Sequence, residues 1–69
     1  MSAVTIQLNG EPYNLDGGSR LINLLDALAL KPSRVAVEIN REVVPKANYT
    51  KVVLRAGDRV EVITFVGGG

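Results

Sequence analysis

Leu21, Leu24, Leu25 and Leu28 fall at i, i+3, i+4 and i+7, the apolar stripe of one amphipathic helix between segments that alternate with a period of two. Such a stripe must be buried, and extended segments on both sides leave a sheet as its cover. The chain has 69 residues, a single small domain that buries about 60% of its unfolded surface. One helix on one sheet therefore has to supply the whole core.

The extended segments can be placed in order. Val4, Ile6 and Leu8 alternate with Thr5, Gln7 and Asn9, a strand with one buried face. Asn9-Gly10 suits a type I′ hairpin turn, in which both central residues have positive φ, so Glu11 to Leu15 should return antiparallel. Pro12 places that second strand at an edge. Asp16-Gly17-Gly18 breaks the pattern, and Ser19 can accept from the free N–H groups of a helix running from Arg20 to about Leu30. Ile22 and Ala29 broaden its apolar face, and Pro32 stops it. Val35, Val37 and Ile39 form a third strand, and Asn40-Arg41-Glu42 a turn. Val43-Val44 is a short extended piece, and Pro45 opens a helical turn through Tyr49. Val52 and Leu54 tuck under the domain or form a brief edge strand. A turn at Ala56-Gly57-Asp58-Arg59 launches the last strand, Val60 to Phe65.

Composition excludes several functions. Without cysteine there is no disulfide, and no thiolate-ligated zinc or iron–sulfur site. Without histidine the commonest general base and metal ligand are missing, and no serine or threonine has a histidine to activate it. Neither a catalytic residue nor a metal site is expected. A net charge of +1 and three scattered aromatics, Tyr13, Tyr49 and Phe65, do not suit nucleic acid. Met1 to Thr5 lack the pattern of a signal peptide, and no apolar run approaches the ~20 residues of a membrane span. A soluble cytoplasmic protein is expected.

The last strand is apolar on both faces: Val60, Val62 and Thr64 share one, Glu61, Ile63 and Phe65 the other. Such a strand sits centrally in its sheet with one face against the helix. Ile63 and Phe65 then either look outward as a docking patch or form a satellite core capped by the loop of Val43, Val44 and Tyr49. After them comes Val66-Gly67-Gly68-Gly69. Terminal glycines have nothing to pack and lose much freedom on ordering, which divides the chain into a folded domain over 1–66 and a flexible tail over 67–69. The tail is either a frayed end or linker, or an arm thin enough to thread a channel closed to any Cβ and deliver the terminal carboxylate.

The order strand, strand, helix, strand, irregular connection, strand resembles the ubiquitin-like β-grasp fold. This is an α+β architecture with a mixed four- to five-stranded sheet and one helix packed on one face. Val37-Glu38-Ile39-Asn40, Val43-Val44-Pro45, Tyr49, Leu54, Gly57-Asp58, Val60-Glu61-Val62 and the terminal Val66-Gly67-Gly68-Gly69 together resemble the ThiS family, sulfur carriers of thiamine thiazole synthesis. The small subunit of molybdopterin synthase and ubiquitin-like protein modifiers share the Gly-Gly end. The molybdopterin relatives typically approach the tail through a Phe-Pro-Pro-like stretch, where this chain has Ile63-Thr64-Phe65-Val66.

The resemblance implies that an E1-like adenylyltransferase activates the Gly69 carboxylate with ATP. Sulfur from a donor such as a cysteine desulfurase then leaves a thiocarboxylate for thiazole synthase. Gly67 and Gly68 would thread into partner active sites, while Ile63, Phe65 and Val66 would dock. ATP would belong to the activating enzyme, with no cofactor bound here. A side chain at Gly68 should therefore block turnover and spare folding. For Gly68→Val we expect an unchanged melting curve and no thiocarboxylate by intact mass; normal yield would defeat the threading argument.

Overall fold

A computed structural model describes residues 2–65. Its elements are β1 (Ala3–Leu8), β2 (Glu11–Asp16), α1 (Leu21–Ala27), a 3-10 turn (Pro32–Arg34), β3 (Val35–Ile39), β4 (Glu42–Val43), a second 3-10 turn (Lys46–Asn48) and β5 (Arg59–Thr64). The strands form one sheet in the order β2-β1-β5-β3-β4. β1 and β5 are parallel, while the other pairings are antiparallel. With α1 on one face this is the β-grasp arrangement, with five strands, and β2 lies at an edge as Pro12 implied.

Two tight hairpins set the register. Asn9 (φ 50°) and Gly10 (φ 85°) make the first, so that Leu8 stands opposite Glu11. Asn40 (φ 53°) and Arg41 (φ 72°) make the second without glycine, placing Ile39 opposite Glu42. Both are two-residue loops with positive φ at each centre, the geometry that follows strand twist.

The parallel ladder between β1 and β5 covers only Gln7↔Arg59 and Leu8↔Val60. Asn9 prolongs it with its side chain. Its backbone N–H donates to the Val60 carbonyl at 2.9 Å, and its Oδ1 accepts from the Val62 N–H at 2.8 Å. A carboxamide thus stands in for the peptide group that the turn removes.

The core comprises Ile6, Leu21, Leu24, Leu25, Val35, Val37, Tyr49, Leu54 and Val60, which puts the leucine stripe against the central strands. Leu28 is half-buried at its margin.

Helix α1 differs from expectation at both ends. Ser19 does not cap it, because its hydroxyl donates to the Asp16 carbonyl at 2.7 Å. The first helical N–H groups, which lack intrahelical partners, are taken by the long connection after β4: Leu21 donates to Val52 O and Ile22 to Tyr49 O, each at 2.9 Å. The Leu54 N–H returns to Ser19 O at 2.8 Å, and the Asn23 carboxamide accepts from the Arg20 N–H at 2.8 Å. Leu54 is buried, so this segment tucks under the domain.

At the other end the helix stops before Pro32 is reached. Leu30 N donates to Leu25 O at 2.9 Å and Ala29 N to Asp26 O at 3.0 Å, with Ala29 at φ 58°. This is the paired closure that usually places glycine at the left-handed position. Ala29 is exposed, so it turns the chain without widening the apolar face.

An alanine there has strain to release. The left-handed conformation costs an L-residue about 1–2 kcal/mol, and glycine's extra freedom when unfolded returns roughly 0.5–1 kcal/mol of that. We expect Ala29→Gly to stabilise the domain by about 0.5–1 kcal/mol and to raise the melting temperature by roughly 3–6 °C. A thermal unfolding curve with no increase would contradict the strain argument.

Candidate functional site

Among the described residues the second face of the sheet carries no helix, and strand parity decides what it presents. Val60, Val37 and Ile6 point to the core. Their neighbours Arg59, Glu61 and Ile63 on β5, Ala36 and Glu38 on β3, and Thr5 and Gln7 on β1 therefore share the open face. Register aligns Gln7 with Arg59, Glu38 with Glu61 and Ala36 with Ile63. Val43 on β4 stands opposite Glu38.

This face is divided. Its half near the start of β5 is polar, with a shallow cleft lined by Gln7, Asn9, Gly10, Arg59 and Glu61. Near the end of β5 it becomes apolar: Ile63 is 54% exposed, Phe65 53% and Val43 72%. Ile63 and Phe65 are thus on the surface and not in a satellite core, the second of the arrangements considered above. Phe65 lines a shallow cleft with Ala36, Val37, Val43, Val44, Pro45 and Tyr49. Tyr49, at 2% exposure, belongs to the main core. Val66, Gly67, Gly68 and Gly69 lie outside the described residues.

Where β5 ends, several contacts converge. The Phe65 N–H donates to Arg34 O at 2.9 Å. The Lys46 ammonium donates to the carbonyls of Val35 and, at 3.2 Å, Pro32. It also stands 5.7 Å from the Tyr49 ring centroid and 5.8 Å from that of Phe65, within cation–π range. The Tyr49 hydroxyl points at the same Val35 carbonyl, at 3.4 Å.

Sequence reasoning singled out Ile63 and Phe65 but passed over Lys46 and placed Val43 in a short extended piece and a capping loop, not on the open face. Alternation offered a signal for Val43, since consecutive valines in an extended piece cannot both face inward. For Lys46 there was none, because apart from Tyr49, three residues on, its partners Val35, Pro32 and Phe65 lie 11 to 19 positions away in sequence.

Comparison with known proteins adds the relationship. The ThiS family model matches residues 6–69. This chain belongs to the ThiS family. The sulfur carrier protein ThiS of Bacillus subtilis is 38% identical over 66 residues, covering 93% of this chain and 98% of that protein. A thiazole synthase of Magnetococcus marinus is 48% identical over 64 residues, covering 93% of this chain. The ThiS-family chain spans about a fifth of that synthase, 20% of its length. The crystal structure of the thiamine biosynthesis protein ThiS from Geobacter metallireducens superimposes with a TM-score of 0.79 at 33% identity, over 96% of this chain and 100% of that one. Among the described residues no cluster of three or more acidic, histidine or cysteine side chains could hold a metal ion, and no helix is long and apolar enough to cross a membrane.

Burial pushes the Tyr49 phenol above its ordinary value, with a backbone hydrogen bond at Val37 opposing the shift. The folded state then holds the phenolic proton more tightly than the unfolded chain does. The resulting stability is complete below about pH 10, the ordinary tyrosine value, and is lost as pH rises through the raised folded value. Denaturant midpoints from about pH 8 to pH 11 should fall steeply above about 10. Tyr49→Phe should start about 0.5–1.5 kcal/mol less stable, having lost its hydroxyl contact, and fall less steeply. Parallel pH profiles for the two proteins would remove the phenol as the cause.

Proposed function

We propose that this ThiS-family chain is a sulfur carrier for the thiazole ring of thiamine, acting as a co-substrate of partner enzymes. The observation that carries the reading is the apolar half of the open sheet face, Ile63, Phe65, Val43 and Ala36, at the end of the strand that leads into Gly67-Gly68-Gly69. A glycine arm alone cannot bind firmly, since ordering each residue costs about 1–2 kcal/mol. The folded domain has to contribute contact area, and this patch offers it beside the point where the arm begins.

The chemistry follows from the terminal carboxylate. A Gly69 oxygen attacks the α-phosphorus of ATP in an E1-like activating enzyme, pyrophosphate leaves, and an acyl-adenylate forms. Sulfide then attacks the acyl carbon and expels AMP, leaving the thiocarboxylate. Where the persulfide of a cysteine desulfurase is the nucleophile, AMP leaves an acyl disulfide, and a second thiol reduces its S–S bond to release the thiocarboxylate. Activation is needed because a bare carboxylate is a poor acceptor. Thiazole synthase is the proposed recipient of the sulfur, a pairing supported by the ThiS-like stretch within the Magnetococcus enzyme named as one.

The test is intact mass before and after incubation with ATP, an E1-like activating enzyme of proven competence and a sulfide source. We expect a gain equal to one oxygen exchanged for sulfur, absent from a variant lacking Gly69. Ile63→Asp, exposed and so compatible with folding, should slow that gain roughly tenfold or more by placing an unpaired charge in the contact. Sulfur uptake by the truncated chain would sink the carrier reading, and wild-type kinetics for Ile63→Asp would remove the docking patch from it.

A further inference from the structure

Lys46 is exposed, yet its ammonium has partners in the protein. It folds back onto two main-chain carbonyls, Val35 and Pro32, and lies over the rings of both Tyr49 and Phe65. Holding so flexible a side chain in one place has an entropic cost. Charge-assisted hydrogen bonds and two aromatic faces offset it.

The two rings differ in what they belong to. Tyr49 is buried in the core, and its hydroxyl shares the Val35 carbonyl with the lysine. Phe65 is half-exposed and follows the last residue of β5. Its backbone N–H donates to Arg34 O, at the end of the 3-10 turn before β3, at 2.9 Å. Lys46 therefore links the ring of a surface residue to the core.

We propose that Lys46 is a positioning residue for carrier delivery: it holds the Phe65 ring against the cleft beside β3, so that the docking side chain is set before a partner is met. This rests on the carrier reading above. Pre-setting Phe65 removes part of the ordering that binding would otherwise require. The benefit lies in encounter and docking, since Lys46 touches no reacting atom.

The expected signature is a split between kinetic constants. Lys46→Met keeps the stem and removes the charge. In activation by the E1-like enzyme it should raise KM for the carrier about two- to tenfold with kcat unchanged, and Lys46→Arg should restore KM. Phe65→Leu, which removes the ring face and leaves the carbonyl contacts, should raise KM by itself. The double variant should be less impaired than the product of the singles, because both cut one interaction. In the free protein, backbone relaxation at Phe65 should show greater motion in Lys46→Met than in wild type.

An unchanged KM for Lys46→Met, a Lys46→Arg variant no better than Lys46→Met, or strictly multiplicative effects would each overturn the proposal. Unchanged Phe65 relaxation would do so without any enzyme. If the wild-type chain accepted no sulfur the carrier reading would fail first, and the relaxation measurement would still judge the clamp.

Discussion

The fold depends on burial of Leu21, Leu24 and Leu25 against Ile6, Val35, Val37 and Val60. A helix of seven residues is far below the ~12–15 at which isolated helices become even marginal in water. It exists because the sheet covers its stripe, and the sheet in turn has no other layer to cover its inner face. The long connection completes this dependence by supplying the carbonyls that receive the first helical N–H groups. Local structure and tertiary packing are therefore one cooperative event in this chain.

β5 joins that core to the functional surface. It lies between β1 and β3, so Val60 is buried while Ile63, three residues later and on the other face, meets solvent. The same parity brings Glu38 and Glu61 directly opposite one another on the open face. Like charges in that arrangement are mildly destabilising. The open face is thus polar and partly strained near the hairpin turns and apolar where the chain leaves the sheet, which confines its exposed apolar area to one end.

On the proposed reading the chain needs little chemistry of its own. What it must supply is a rigid body, a recognisable patch and an unbranched arm ending in a carboxylate. The chain holds neither histidine nor cysteine, and the proposed carrier reading assigns the reactive groups to partner enzymes. Belonging to the ThiS family gives that division of labour a biochemical setting.

Much of this was legible in the residues. Period-two alternation identified β1, β3 and β5, Asn9-Gly10 identified the first hairpin, and the two apolar faces of Val60 to Phe65 marked a central strand with an outward patch. These are local patterns, and steric preference or side-chain alternation decides them within a few positions. The helix ends were misread because Ser19 and Pro32 are plausible local signals that tertiary contacts overrode: carbonyls of Tyr49 and Val52 met the N–H groups, and Ala29 closed the last turn in a conformation its side chain disfavours. The role of Asn9 as a substitute peptide group and the reach of Lys46 to Val35 and Phe65 were decided only by the folded structure. Each joins groups distant in sequence, and no periodicity encodes a distance that exists only after the sheet has formed.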